Sequence, residues 1–204
     1  MQIDLNQLPA DQVYFTMIQT LVPRPIAWVL SANESGSYNL APFSYFNAVA
    51  SNPPLVMISL GKKPDGTPKD TRVNIEARQH FVIHLPHREL LDAMNESAIT
   101  LPAGVSELDH LGLTSEPFPG SPVPRITGSR IAFACELYEV HEIGATPQAM
   151  ILGKVNQIYI DDGIAETDAK GRFKVHADRF DPISRLGASE YMTAGEVLVR
   201  RRPA

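Results

Sequence analysis

The sequence predicts a mainly β domain in which successive strands close toward a barrel, with short helices attached. Three apolar runs at 25–30, 55–60 and 81–85 are bounded by proline or polar residues and rich in β-branched side chains, which suits buried strands. Ile131, Phe133, Cys135 and Leu137 alternate with small or charged residues, and 149–160 reads as another long strand. A chain of such strands argues for a barrel rather than a sheet of βαβ units.

In order along the chain, the strand at 25–30 leads into Asn33-Glu34-Ser35-Gly36-Ser37, a turn-rich stretch that fits a hairpin loop before a second strand near 38–41. After Pro68, either Asp70 or Thr71 can cap a helix running to about Gln79, with Val73 and Ala77 four residues apart on one face. A second helix is expected over about 87–96, and a third after Ser106, whose side chain is placed to cap 107–111. Four prolines and three glycines mark 112–128 as a loop that wraps over a neighbour or an interface. In the long alternating strand the apolar phase moves to Tyr138 and Val140, which predicts a bulge near Leu137. Gly153 marks a bend, or a place where another backbone comes close.

The totals narrow the function classes. At 204 residues with 44% hydrophobic and 20% charged residues, the expectation is a single domain over 1–204 with a substantial core. A net charge of −5, spread along the chain, provides no field to recruit nucleic acid or an anionic membrane. Cys135, the single cysteine, cannot form an intrachain disulfide, so a cytoplasmic setting is expected. The start Met1-Gln2-Ile3-Asp4 lacks the pattern of an export signal, and no apolar run is long enough to cross a bilayer. Arg200-Arg201-Arg202 reads as a solvated tail without a function.

Two segments could carry chemistry. Gly66-Thr67-Pro68-Lys69-Asp70-Thr71 enters a helix, and a helix start offers unpaired N–H groups and partial positive charge to a phosphate monoester. Lys69 would add a cation there and Thr71 a hydroxyl. Local sequence alone favours the simpler alternative, a capped helix with Lys69 facing water. Asn39-Leu40-Ala41-Pro42-Phe43-Ser44 should stop or bend at Pro42, freeing backbone groups that could meet the rim of a flat heteroaromatic ring. By itself this segment reads equally as a strand end whose aromatics belong to the core. His84 and His87, even with His110 and His141, are too loosely spaced for a zinc site, and no metal is expected. His84 reads as a structural residue ending a strand near the surface. No Gly-x-Gly-x-x-Gly opens a helix, so no separate dinucleotide domain is supported.

The segments Arg24-Pro25-Ile26-Ala27-Trp28-Val29, Asn39–Ser44, Asn52-Pro53-Pro54, Lys69-Asp70-Thr71 before Asn74-Ile75, and Arg185-Leu186-Gly187 before Tyr191 occur in that order. Together they resemble the flavin reductase-like, FMN-binding split β-barrel family, including flavoredoxin-type proteins, over about 12–195. The resemblance implies FMN as cofactor, with Ser31, Asn39, Ala41, Pro42, Phe43 and Ser44 along the ring and ribityl chain, and Lys69 and Thr71 at the phosphate. It also implies that Arg185-Leu186-Gly187 closes the pocket, with Ala188 where a second glycine is common, and that the chain is a homodimer with its flavins near the interface. The 112–128 stretch and the C-terminal segment are then candidates for covering the partner.

The activity implied is that of an NAD(P)H-dependent flavin reductase, passing electrons to free flavin or a partner oxygenase. A nicotinamide would stack on the flavin with its donor carbon on the order of 3–3.5 Å from N5. No side chain is nominated as a catalytic acid, base or nucleophile, because the protein need only hold and tune the ring. Two alternatives stay open: a flavoredoxin-type carrier fed by a redox protein, and a barrel holding another phosphorylated heteroaromatic.

Overall fold

The computed structural model describes residues 1–201 and 203 apart from Ala103 and Ala145, so Arg202 of the arginine tail lies outside the described residues. Helix α1 (Ala10–Thr20) precedes five strands, β1 (Arg24–Pro25), β2 (Ala27–Ala32), β3 (Tyr38–Phe43), β4 (Phe46–Ser51) and β5 (Pro54–Leu60). Helix α2 (Asp70–Arg78) leads to β6 (His80–His84), then α3 (Leu91–Glu96), α4 (Glu107–His110), β7 (Ser115–Glu116) and β8 (Arg125–Ile126). The long strands β9 (Ile131–Glu142) and β10 (Ala149–Ile160) follow. The chain closes with β11 (Ala165–Thr167), β12 (Phe173–Val175), α5 (Ala177–Phe180), β13 (Ile183–Arg185) and β14 (Tyr191–Thr193). No described helix is long and apolar enough to cross a membrane.

Seven antiparallel strands form the main sheet, in the order β3-β2-β6-β9-β10-β5-β4. Its terminal strands, β3 and β4, are joined by Ser44 and Tyr45 alone. Laid flat, six inter-strand spacings would separate them by roughly 28 Å, whereas the three Cα steps of this linker reach at most about 11 Å. The sheet must therefore curl until its edges meet. The Ser59 N–H donates to the Tyr45 carbonyl at 2.8 Å, fastening the linker to β5. This junction is the seam of the barrel.

Curling gives the strands two buried faces. Ala27, Val29, Ile58, Phe81, Ile83 and Ile151 fill the barrel, while Trp28, Leu30, Val82 and Ala132 point outward beneath Met94, Leu108, Phe118, Val123 and Ile126. Burial on both sides explains why β2 and β6 are continuous apolar runs. The outer cluster also shows what the 112–128 loop wraps over. The 112–128 segment, which includes the β7–β8 ribbon, puts Phe118, Val123 and Ile126 into the core of its own chain. Those side chains are already used.

The bulge appears where the phase shift places it: Leu152 pairs with Glu139 but Gly153 with Leu137, leaving Tyr138 as the extra residue. At Gly153 the close neighbour is a side chain rather than a backbone, because an added Cβ would sit 2.5 Å from Phe81 Cζ. The Ser106 hydroxyl caps α4 by accepting from the Asp109 N–H at 3.2 Å. His84 lies far from the surface expected of it and is fully buried. Its Nδ1 meets the Trp28 carbonyl at 3.1 Å, and its Nε2 accepts from the Ile126 N–H at 2.9 Å. With a proton on Nδ1 only, this neutral ring links β2 to β8, and burial pushes its pKa down to about 4.

Candidate functional site

Helix α2 begins differently from its sequence reading. Lys69 occupies the N-cap position without a side-chain cap, Asp70 pairs with Lys63 at 2.7 Å, and the Thr71 hydroxyl accepts from Asn39 Nδ2 at 2.8 Å. The Val73 and Ala77 face is exposed; Thr71, Asn74 and Ile75 turn inward instead. The reason is a buried polar cluster. Ser31 Oγ lies 3.4 Å from Asn39 Nδ2 and 3.3 Å from Asn74 Nδ2, and Asn74 also donates to Asn33 Oδ1 at 2.8 Å. Buried amides need such partners, so they set the rotation of the helix against β2 and β3.

With Asp70 and Thr71 serving neighbours, the start of α2 faces a hollow of about 380 Å³. Asn39, Ala41, Pro42, Lys69 and Thr71 line it, and the 97–101 segment closes the far side. Lys69 is partly buried and has no ion-pair partner among the described residues; its Nζ stands 5.6 Å from the centre of the Phe43 ring. Burial without a counter-charge holds this ammonium below its ordinary pKa. An anion would relieve that penalty. The Thr71 hydroxyl, used as acceptor by Asn39, keeps its proton free to donate.

The outer edge of β3 is blocked. The Leu40 N–H donates to Glu107 Oε2 at 2.9 Å, and Pro42, two residues on along the same edge, has no N–H. Burial chiefly raises the Glu107 carboxyl above its usual range, while the Leu40 hydrogen bond lowers it. Past Phe43 the pairing with β2 ends, and the N–H groups of Ser44 and Tyr45 have no acceptor among the described residues. Pro42, Phe43 and Ser44 also line two adjoining hollows, of about 240 and 340 Å³, so the depression continues along the seam.

Of the eight residues singled out in the sequence, seven stand in this wall: Asn39, Ala41, Pro42, Phe43, Ser44, Lys69 and Thr71. Ser31 lies beneath it, fully buried and holding the two amides. Sequence reasoning missed Lys62 and Lys63, although the adjacent pair is visible before Pro64. It also missed the 97–101 segment, which Trp28 Nε1 pins through the Ser97 hydroxyl at 2.8 Å. Ala188 adopts φ 49°, a left-handed conformation that favours glycine. No group of His, Cys, Asp and Glu able to hold a metal occurs among the described residues.

A family model described as flavin reductase like domain matches residues 19–177. A protein from Halalkalibacterium halodurans is 35% identical over 207 residues, covering 100% of this chain and 97% of that one. The crystal structure of nitrilotriacetate monooxygenase component B from Bacillus cereus superimposes with a TM-score of 0.89 at 32% identity, covering 98% of each chain. Pseudomonas fluorescens 2-nitrobenzoate 2-nitroreductase gives 0.87 at 30% identity, covering 100% of this chain and 96% of that one. Fold and similarity together define a class, the flavoprotein oxidoreductases built on a split barrel. Within that class, the chain belongs to the flavin reductase like family.

Proposed function

We propose that the chain binds FMN along the barrel seam and works as an NAD(P)H-dependent flavin reductase in the cytoplasm, delivering electrons to free flavin or to a partner oxygenase. One observation carries this reading: a partly buried lysine with no counter-charge among the described residues stands at the start of α2, beside backbone donors that have no acceptor among them. The donor set fits the cofactor. Lys69, the Thr71 hydroxyl and the first N–H groups of α2 would take the phosphate monoester. Ser44 and Tyr45 N–H would meet the pyrimidine rim, where donors stabilise negative charge gained on reduction. Ala41, Pro42 and Phe43 would bear on the ring and ribityl chain, with Asn39 and Ser31 holding that wall in place.

A bound flavin supplies the redox chemistry, so no side chain needs to act as acid or base. The family match and the similarity to a monooxygenase component support the oxygenase-linked role. A homodimer is part of the proposal, supported by exposed Phe15 and Met17 on α1 and by Val197, Leu198 and Val199. Sedimentation at micromolar protein should give twice the chain mass; a purely monomeric species would remove the dimer from the proposal. Anaerobic stopped-flow mixing of the FMN-loaded protein with NADH or NADPH should bleach the flavin band within the turnover time. Retained FMN with no bleaching by either nucleotide would overturn the reductase reading and leave an electron carrier of the flavoredoxin type.

A further inference from the structure

The hollow of about 240 Å³ beside Phe43 and Ser44 differs in character from the lysine-lined one. Its walls combine two arginines, Arg24 and Arg185, with Tyr14, Tyr191 and apolar side chains; no aspartate or glutamate among the described residues lines it. Arg24 is only 5% exposed, and its guanidinium donates to neutral carbonyls, those of Ile18 at 2.8 Å, Leu21 at 2.5 Å and Leu186 at 2.8 Å. These carbonyls, and the Ser44 hydroxyl that Nε meets at 3.4 Å, satisfy its N–H groups but leave a full positive charge at the wall. Arg185 stacks 4.5 Å from the centre of the Tyr191 ring and donates to the Ala188 carbonyl, and its Nε and Nη1 have no acceptor among the described residues. Tyr191 in turn donates to Asn95 Oδ1 at 2.8 Å, which turns the Asn95 amide nitrogen into a spare donor.

Two unneutralised guanidinium groups across a small hollow of mixed polar and apolar walls call for an anion with a flat body. Below the roughly 300–1,000 Å³ of pockets that bury drug-sized ligands, this space suits one ring rather than a dinucleotide. We infer that the hollow is a binding site for a single-ring aromatic carboxylate, the carboxylate meeting Arg185 and the ring lying between Tyr14, Phe43 and Tyr191. A guanidinium with N–H groups left free matches a carboxylate's charge, and tyrosine faces match the ring. Because Pro42, Phe43 and Ser44 are shared with the wall assigned to the flavin, the site serves as the substrate subsite next to the ring; that role rests on the proposed FMN reading, whereas the anion site itself rests on the arginines alone.

The test compares benzoate with benzamide, equal in shape and different in charge, by titration calorimetry of the full chain. The FMN content of each sample is measured separately by its visible absorption. Benzoate should bind at least tenfold more tightly than benzamide. Arg185→Gln should erase that preference while Arg185→Lys keeps most of it, each compared at matched FMN content. Equal binding of the two ligands, or a preference that survives in Arg185→Gln, overturns the anion site and leaves the flavin reading untouched. A protein that selects benzoate yet retains no FMN when saturated supports the anion site and sinks the flavin reading instead.

Discussion

Asn39 Nδ2 donates to the Thr71 hydroxyl at 2.8 Å, joining the start of β3 to the first turn of α2. One hydrogen bond thus couples the strand proposed to bear the flavin ring to the helix start proposed to hold its phosphate. Thr71→Val keeps the shape but removes both the acceptor and the free hydroxyl proton. Leaving the buried Asn39 amide short of a partner costs about 1–3 kcal/mol. The expected result is a lower urea midpoint together with weaker FMN binding; a variant that loses stability but binds FMN as before would show that Thr71 does not face the phosphate.

Lys69 should matter more for the ligand than for the fold. It forms no ion pair among the described residues, so Lys69→Ala removes a desolvated cation and should leave stability nearly unchanged. If its ammonium meets the phosphate, FMN affinity falls by about 1.5–3 kcal/mol. Trp28, the single tryptophan, holds the 97–101 wall through Ser97, so quenching of its emission by added FMN provides the titration signal. Equal midpoints for the wild type and Lys69→Ala would mean that the side chain is a bystander.

Acid should weaken the fold through His84. Its folded pKa of about 4 lies below the ordinary value of 6.5, so between those values the unfolded chain takes up a proton that the native chain refuses. Stability from this residue is full above pH 6.5 and falls as pH drops toward 4, by about 3 kcal/mol over the window. Chemical denaturation at pH 7 and pH 5 should show the wild type losing more stability than His84→Gln, which cannot titrate. His84→Ala should cost about 2–4 kcal/mol at pH 7, because the Trp28 carbonyl and Ile126 N–H lose their shared partner.

The parts of this fold legible in the sequence are those where burial writes a pattern. β2 and β6 are apolar runs because both their faces are covered, and the Tyr138 bulge shows as a break in alternation. Helix α1 buries no residue and starts at Pro9 without a side-chain cap, so neither periodicity nor a cap marks it. β4 is exposed from Asn47 to Ser51, which hides it in the same way. The orientation of α2 is hidden because its inward face is largely polar. Asn74 and Thr71 are drawn in by Ser31, Asn33 and Asn39, partners that no local window contains. Arg24 escapes a sequence reading for a similar reason, since its carbonyl partners on α1 and at Leu186 meet only in the folded chain.

Ala188 holds a strained conformation that glycine would relax. At φ 49° an L-residue pays roughly 1–2 kcal/mol, while glycine loses about 0.5–1 kcal/mol more chain entropy on folding. Ala188→Gly should therefore raise stability by about 0.5–1 kcal/mol, seen as a higher urea midpoint with an unchanged slope. No gain would mean that the extra chain entropy of glycine offsets the strain relieved.

Inside the barrel, Gly153 and Phe81 form a complementary pair. The Phe81 ring is fully buried, and its Cζ occupies the space above Gly153 that any Cβ would need, at 2.5 Å. Gly153→Ala must displace the ring in a packed interior and should cost about 1–3 kcal/mol. The shorter side chain of Phe81→Leu vacates that space at the expense of a cavity. Combining the two substitutions should then cost less than the sum of the single effects, because the added methyl fills part of the void. Thermal unfolding of the four proteins measures the coupling directly; strictly additive losses would show that the strain at Gly153 comes from the backbone of β10 rather than from the ring.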